Sequence, residues 1–263
     1  MDLQLTDKRA LVTGSTAGIG LAIARQLAAE GAEVILTGRT EARLEAARAA
    51  ILAETPQARL QSVAVDFGLA ADVQRLLQAV PAVDILINNV GIFEPKPFTE
   101  ITDEDWLHFF EVNVLSGVRL SRHYFPQMLA QNWGRILFIS SESAIQIPQE
   151  MIHYGTTKTA QLAVARGLAE LTKGTNVTVN SVLPGPTASE GVQEFLGKLA
   201  AEGQTREQAE QDFFQHARPS SLLQRFSSPE EIASMVVFLS SPLASATNGT
   251  AVRVDGGTVR SIN

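Results

Sequence analysis

The sequence predicts an α/β domain built on a doubly wound, seven-stranded parallel sheet with helices on both faces. Three observations carry that expectation. Short β-type runs alternate with long stretches of 3.6-residue period, and a glycine-rich turn joins the first run to the first such stretch. No linker, repeat or low-complexity tract divides the 263 residues, of which 45% are hydrophobic, so one domain spanning 1–263 with one large core is expected.

The strands are read at 9–12, 33–37, 60–65, 85–87, 135–140, 176–182 and 251–254. Helices are read at 18–30, 41–54, 71–80, 103–130, 151–172 and 229–239. Two helices carry clear start signals: Thr102 precedes three acids, and Ser228 precedes Pro229 and two glutamates. One segment breaks the rhythm. From 187 to 226 no strand arrives, and the sequence is helical but polar, with Gly191, Gly197 and Gly203 as candidate hinges. So long a connection reads as a helical substrate lid, the alternative being an insertion used for subunit packing.

Composition removes several function classes. A net charge of −7 with no basic stripe argues against a nucleic-acid partner. The absence of cysteine rules out disulfides, thiolate catalysis and Cys-based zinc sites. His108, His123, His153 and His216 lie far apart with no carboxylate at ligand spacing, so no metal is expected. Apolar runs such as 135–139 are far shorter than the ~20 residues a membrane-spanning helix requires. The first strand begins near residue 9, which leaves no room for a secretory leader, and the cytoplasm is the expected location.

After the first strand comes Thr13-Gly14-Ser15-Thr16-Ala17-Gly18-Ile19-Gly20, followed directly by a helix. Glycines here let the backbone turn sharply and approach a pyrophosphate, whose charge sits at the positive helix end beside free N–H groups. The spacing Gly-x-x-x-Gly-x-Gly departs from the general dinucleotide fingerprint.

That spacing resembles the first motif of the classical short-chain dehydrogenase/reductase family. Further matches follow in order along the chain: Asn88-Asn89-Val90-Gly91, Asn113, Ser140-Ser141, Tyr154-Gly-Thr-Thr-Lys158, Asn180, Pro184-Gly185 and Asp255-Gly256-Gly257. Val90 departs from the alanine usual in the second motif. The resemblance implies a single Rossmann-type, dinucleotide-binding catalytic domain that interconverts a small-molecule carbonyl and a secondary alcohol, assembled as a homotetramer. A dinucleotide-binding regulator that has lost turnover is the alternative.

The resemblance also implies roles for residues. The position closing the second strand, where an acid would select NAD(H), is Gly38, and it is followed by Arg39. A guanidinium pairs well with a 2′-phosphate, so NADP(H) is favoured, with NAD(H) possible. Asp66 matches the adenine-contacting acid, and Asn89 and Gly91 match the ribose side. Pro184, Gly185 and Thr187 fall where the nicotinamide carboxamide is held. Tyr154 is the proton donor, with Lys158 four residues on and so on the same helix face. A nearby cation is expected to draw the phenol toward its ionised form. Ser141 hydrogen-bonds the substrate oxygen, while Ser140 ends the strand inside the core. Lys158 also holds ribose hydroxyls, and Asn113 supports a water that relays protons toward it.

Overall fold

The computed structural model describes residues 1–189 and 205–262. The chain runs β1 (Arg9–Val12), α1 (Gly18–Ala29), β2 (Glu33–Gly38), α2 (Glu41–Glu54), β3 (Arg59–Ala64), α3 (Ala70–Ala79), β4 (Ile85–Asn88) and α4 (Asp103–Phe110). It continues through α5 (Ser116–Ala130), β5 (Gly134–Ile139), α6 (Ile152–Glu170), β6 (Val177–Pro184), α7 (Arg206–Asp212), α8 (Pro229–Ser240) and β7 (Ala251–Val254). The strands form one seven-stranded sheet in the order β3-β2-β1-β4-β5-β6-β7, with every adjacent pair parallel. This is the Rossmann-type arrangement the sequence predicts. The order reverses between β1 and β4, which opens a crevice at the carboxyl ends of the strands.

Strand alternation explains the two cores. Ala10, Val12, Val34 and Leu36 face one way, onto Ile23 and Leu27 of α1, Leu44 and Ile51 of α2, and Val236 of α8. Leu11 and Ile35 face the other way, onto Val73 of α3, Leu120 and Tyr124 of α5, and Ala165 of α6. Both sheet faces are thereby covered, which is why the strands read as continuous apolar runs.

The two start signals are capping boxes. Thr102 and Ser228 each accept a hydrogen bond from the amide three residues on, and Asp105 and Glu231 accept one from the cap residue's own amide. The helix expected at 103–130 is helical along its whole length but changes its winding midway. A π turn at Glu111–Leu115 separates α4 from α5. Val112 and Val114 keep the apolar pattern through the turn, so periodicity gives no sign of it.

Of the expected lid, 190–204 with its three glycines lies outside the described residues. In the rest, Thr187 pairs with Ser227 as an isolated parallel bridge, and α7 leads into a second π turn, Phe213–Ala217. Phe213, Phe214 and Phe226 pack with ring centroids 5.0–5.2 Å apart and form a small separate core. Among the described residues no helix is long and apolar enough to cross a membrane.

His153, beside Tyr154 in the first turn of α6, is fully buried against Phe109 at 4.1 Å and Trp106 at 6.1 Å between ring centroids. Neither ring nitrogen has a hydrogen-bond partner. Burial therefore pushes its pKa below 6.5, with Asp105 and Glu94 pulling it back and Lys96 opposing them. A histidine held neutral by folding contributes stability that is intact above the unfolded value near 6.5 and lost as pH falls past it. Asp105, held at about 2 by Lys96 and Thr102, stays ionised across that window. From pH 6.5 to 5 one proton contributes at most about 2 kcal/mol. Thermal unfolding at pH 7 and pH 5 should show a drop of a few degrees in the native chain that is absent in His153→Phe.

Candidate active site

The crevice beside β1 and β4 opens into a cavity of about 1020 Å³ that runs from the first βα turn to the segment after α7. At one end, Gly14, Thr16, Gly18, Ile19 and Gly20 line it. Gly14 and Gly18 sit at φ of +62° and +51°, a region side chains avoid. Gly20 is required for a different reason: a Cβ there would lie 2.3 Å from the Gly14 carbonyl oxygen and 2.6 Å from Asn89 Nδ2. Asn89 braces the turn by donating through Nδ2 to the carbonyls of Thr13 at 2.9 Å and Gly14 at 3.2 Å. A bare backbone turn at a helix N-terminus is the cradle a pyrophosphate needs, so these residues fit the dinucleotide.

Ser15 does not share that role through its side chain. It is fully buried, donates to the Thr37 carbonyl at 3.4 Å and accepts from the Thr37 amide at 2.9 Å, which ties the turn to β2. Motif position alone cannot distinguish the two directions a serine can point.

Arg39 and Asp66 are exposed at the far rim, and both line the cavity. Asp66 Oδ1 accepts from the Gly68 amide at 2.9 Å, so its carboxylate also shapes the turn after β3. Arg43, one turn into α2, joins Arg39 on this rim, a second cation that the sequence reading missed. Gly38 has a packing reason of its own, because a Cβ there would meet Thr16 Cγ2 at 2.4 Å.

The other end gathers the polar groups. Ser141 Oγ caps the short turn Glu142–Ala144, accepting from the Ser143 amide at 3.1 Å, and donates to Glu142 Oε2 at 2.5 Å. Ser140 points into the core and donates to the Lys158 carbonyl at 2.9 Å, as the sequence reading expects. Tyr154 lines the cavity with Phe93 packed edge-on, ring centroids 6.2 Å apart. Lys158 Nζ lies 5.6 Å from the tyrosine ring centroid and is 4% exposed; it donates to the Ile139 carbonyl at 3.0 Å and to Gln161 Oε1 at 3.4 Å. Gly91 makes room for it, since a Cβ there would sit 3.1 Å from Nζ.

Burial pushes Lys158 down to about 8, partly opposed by Glu142. Burial, reinforced by Glu142, pushes the Tyr154 phenol well above its ordinary range, while a hydrogen bond with Ser141 and the charge of Arg218 pull the other way. Desolvation and a carboxylate here outweigh Arg218 and the Ser141 hydrogen bond, so the shift runs opposite to a phenol drawn toward ionisation.

Asn113 lies at the centre of the first π turn and is buried. Its Nδ2 donates to Thr157 Oγ1 and to the Ile92 carbonyl, both at 3.0 Å, and its Oδ1 accepts from the Ile92 amide at 2.8 Å. Its main-chain carbonyl accepts from Gln161 Nε2 at 2.5 Å. Gln161 therefore spans Asn113 and Lys158. Gln161 lies three residues past Lys158 on the same helix face, a spacing that could have flagged it. Pro184, Gly185 and Thr187 also line the cavity, and Thr187 Oγ1 donates to the Gly185 carbonyl at 2.9 Å. Among the described residues no group of three His, Cys, Asp or Glu is placed to hold a metal ion.

Residues 8–199 match the short chain dehydrogenase family. The chain belongs to that family. It is accordingly a nicotinamide-dependent oxidoreductase of carbonyl and alcohol groups. An uncharacterized oxidoreductase of Bacillus subtilis (strain 168), YvaG, is 52% identical over 263 residues, covering 100% of both chains. The 3-oxoacyl-[acyl-carrier-protein] reductase FabG of Aquifex aeolicus is 32% identical, with 98% of this chain and 99% of that one covered. Among solved structures, L-sorbose reductase from Gluconobacter frateurii complexed with NADPH and L-sorbose superposes with a TM-score of 0.92 at 32% identity, covering 100% of both chains.

Proposed function

We propose that this dehydrogenase is an NADPH-dependent carbonyl reductase with Tyr154 as its general acid/base. The observation that carries the reading is the convergence of Ser141, Tyr154 and Lys158 on one cavity whose other end is the glycine cradle. Bound NADPH supplies the hydride to the carbonyl carbon. In the reduction direction Tyr154, held as a phenol by burial, gives its proton to the substrate oxygen, while Ser141 donates a hydrogen bond to the same oxygen as negative charge develops there. The phenolate left behind lies beside the ammonium of Lys158, which stabilises it. Asn113 and Gln161 act through Lys158, fixing its helix and its Nζ. NADPH is preferred because Arg39 and Arg43 stand on the adenosine rim without an acid at Gly38. The L-sorbose reductase, similar over its whole length, is complexed with NADPH, which supports the same preference. A symmetric assembly of four copies completes the reading, with Leu107, Leu115 and Leu171 exposed on or beside α4, α5 and α6.

Two measurements test this. Tyr154→Phe should lower ketone-dependent NADPH oxidation by about a thousandfold or more, roughly 4 kcal/mol of barrier, with NADPH affinity nearly unchanged; a variant that keeps most of its activity contradicts the assignment. Arg39→Ala should weaken NADPH binding by about 2 kcal/mol and leave NADH unaltered, read by fluorescence titration of both cofactors. Equal affinity of the native chain for NADH and NADPH, untouched by the substitution, would overturn the cofactor preference.

A further inference from the structure

Glu142 is a carboxylate buried in the substrate end of the cavity, 6% exposed, immediately after Ser141. Its two oxygens are differently held. Oε1 faces Arg218 Nε at 3.3 Å, and Oε2 accepts the Ser141 hydroxyl at 2.5 Å. Arg218 follows the second π turn and also reaches Glu150 at 3.3 Å, so the cluster carries two acids against one cation.

A serine hydroxyl has one proton to donate. In the reaction proposed above, on which this inference rests, Ser141 turns that proton to the hydrogen bond with the substrate oxygen. Glu142 Oε2 then loses its donor at a buried position, where an unpaired carboxylate oxygen is costly. Binding is favourable only if the substrate replaces the donor. The replacement must be close: Oε2 and the substrate oxygen are both hydrogen-bonding neighbours of the same Oγ, so they lie within about 5 Å of one another. The donor that bridges so short a gap is an O–H or N–H on the carbon next to the carbonyl. Arg218 already faces Oε1 at 3.3 Å, so a neutral hydroxyl donating to Oε2 completes the hydrogen bonding of Glu142.

We propose that Glu142 is a specificity-determining residue that accepts a hydrogen bond from a hydroxyl on the carbon adjacent to the reacting carbonyl, and that the substrates of this enzyme are α-hydroxy ketones, reduced to vicinal diols. NADPH supplies the hydride and Tyr154 the proton, leaving NADP⁺. Arg218 holds Glu142 in its acceptor orientation, and the hydrophobic walls formed by Phe93, Met151, Phe213 and Phe226 take up the rest of the substrate.

The test compares 1-hydroxy-2-butanone with 3-pentanone, in which a methyl group replaces the hydroxyl, as kcat/KM ratios with NADPH. The native enzyme should favour the hydroxy ketone at least tenfold. Glu142→Ala should bring the ratio to within threefold of one, and Glu142→Gln, which keeps an acceptor oxygen and the side-chain shape, should fall between. Melting temperature and NADPH affinity establish that each variant is folded. A native ratio near one with 3-pentanone turned over overturns the role of Glu142 and leaves the reductase reading standing. A high native ratio that survives in both variants does the same. If NADPH binds and neither ketone is consumed, the reductase reading falls and takes this inference with it.

Discussion

The arrangement of this protein depends on keeping one ammonium group, that of Lys158, charged while it is nearly excluded from water. A buried ammonium is tolerated only where acceptors surround it. Here the acceptors come from the Ile139 carbonyl at the end of β5 and from Gln161 one turn along α6. Space for Nζ exists because Gly91 has no side chain. The helix that carries the lysine is in turn pinned at Thr157 and Gln161 by Asn113, whose position is set by the π turn between α4 and α5. The sheet topology then brings the first βα turn and the lysine to the same crevice.

Charge in this pocket is balanced across long sequence separations. Glu142 raises the phenol and opposes the burial shift of Lys158, while Arg218, 76 residues along the chain, draws off part of that carboxylate's influence. The segment after α7 therefore also bears on the acidity of the Tyr154 phenol.

Much of this was legible in the sequence because it is written in local chemistry. Apolar runs located all seven strands, the Ser/Thr caps located α4 and α8, and the glycine spacing located the cradle. Ser141 stands just after β5, Tyr154 in the first turn of α6 and Lys158 one turn further along, so their spacing marked them out as candidates. What escaped was non-local or concerned direction. A π turn inserts within an unbroken apolar pattern; Ser15 can face the cofactor or Thr37, and its motif is the same either way. Gln161 bridges Asn113 and Lys158, and the pairing of Glu142 with Arg218 is created only when the segment after α7 comes up against the turn after β5. Residues 190–204 of the expected lid fall outside what the structure describes.

The claim that a buried, charged Lys158 sustains the chemistry is tested most directly by the pH dependence of kcat/KM for ketone reduction in the native enzyme and in Lys158→Arg. Because burial brings the lysine down to about 8, the native enzyme should lose activity on the alkaline side with a midpoint near that value. An arginine stays protonated throughout the accessible range, so the variant, however slow, should lack that alkaline loss. An alkaline limb of the same position in both proteins would assign the ionisation to another group and contradict the account.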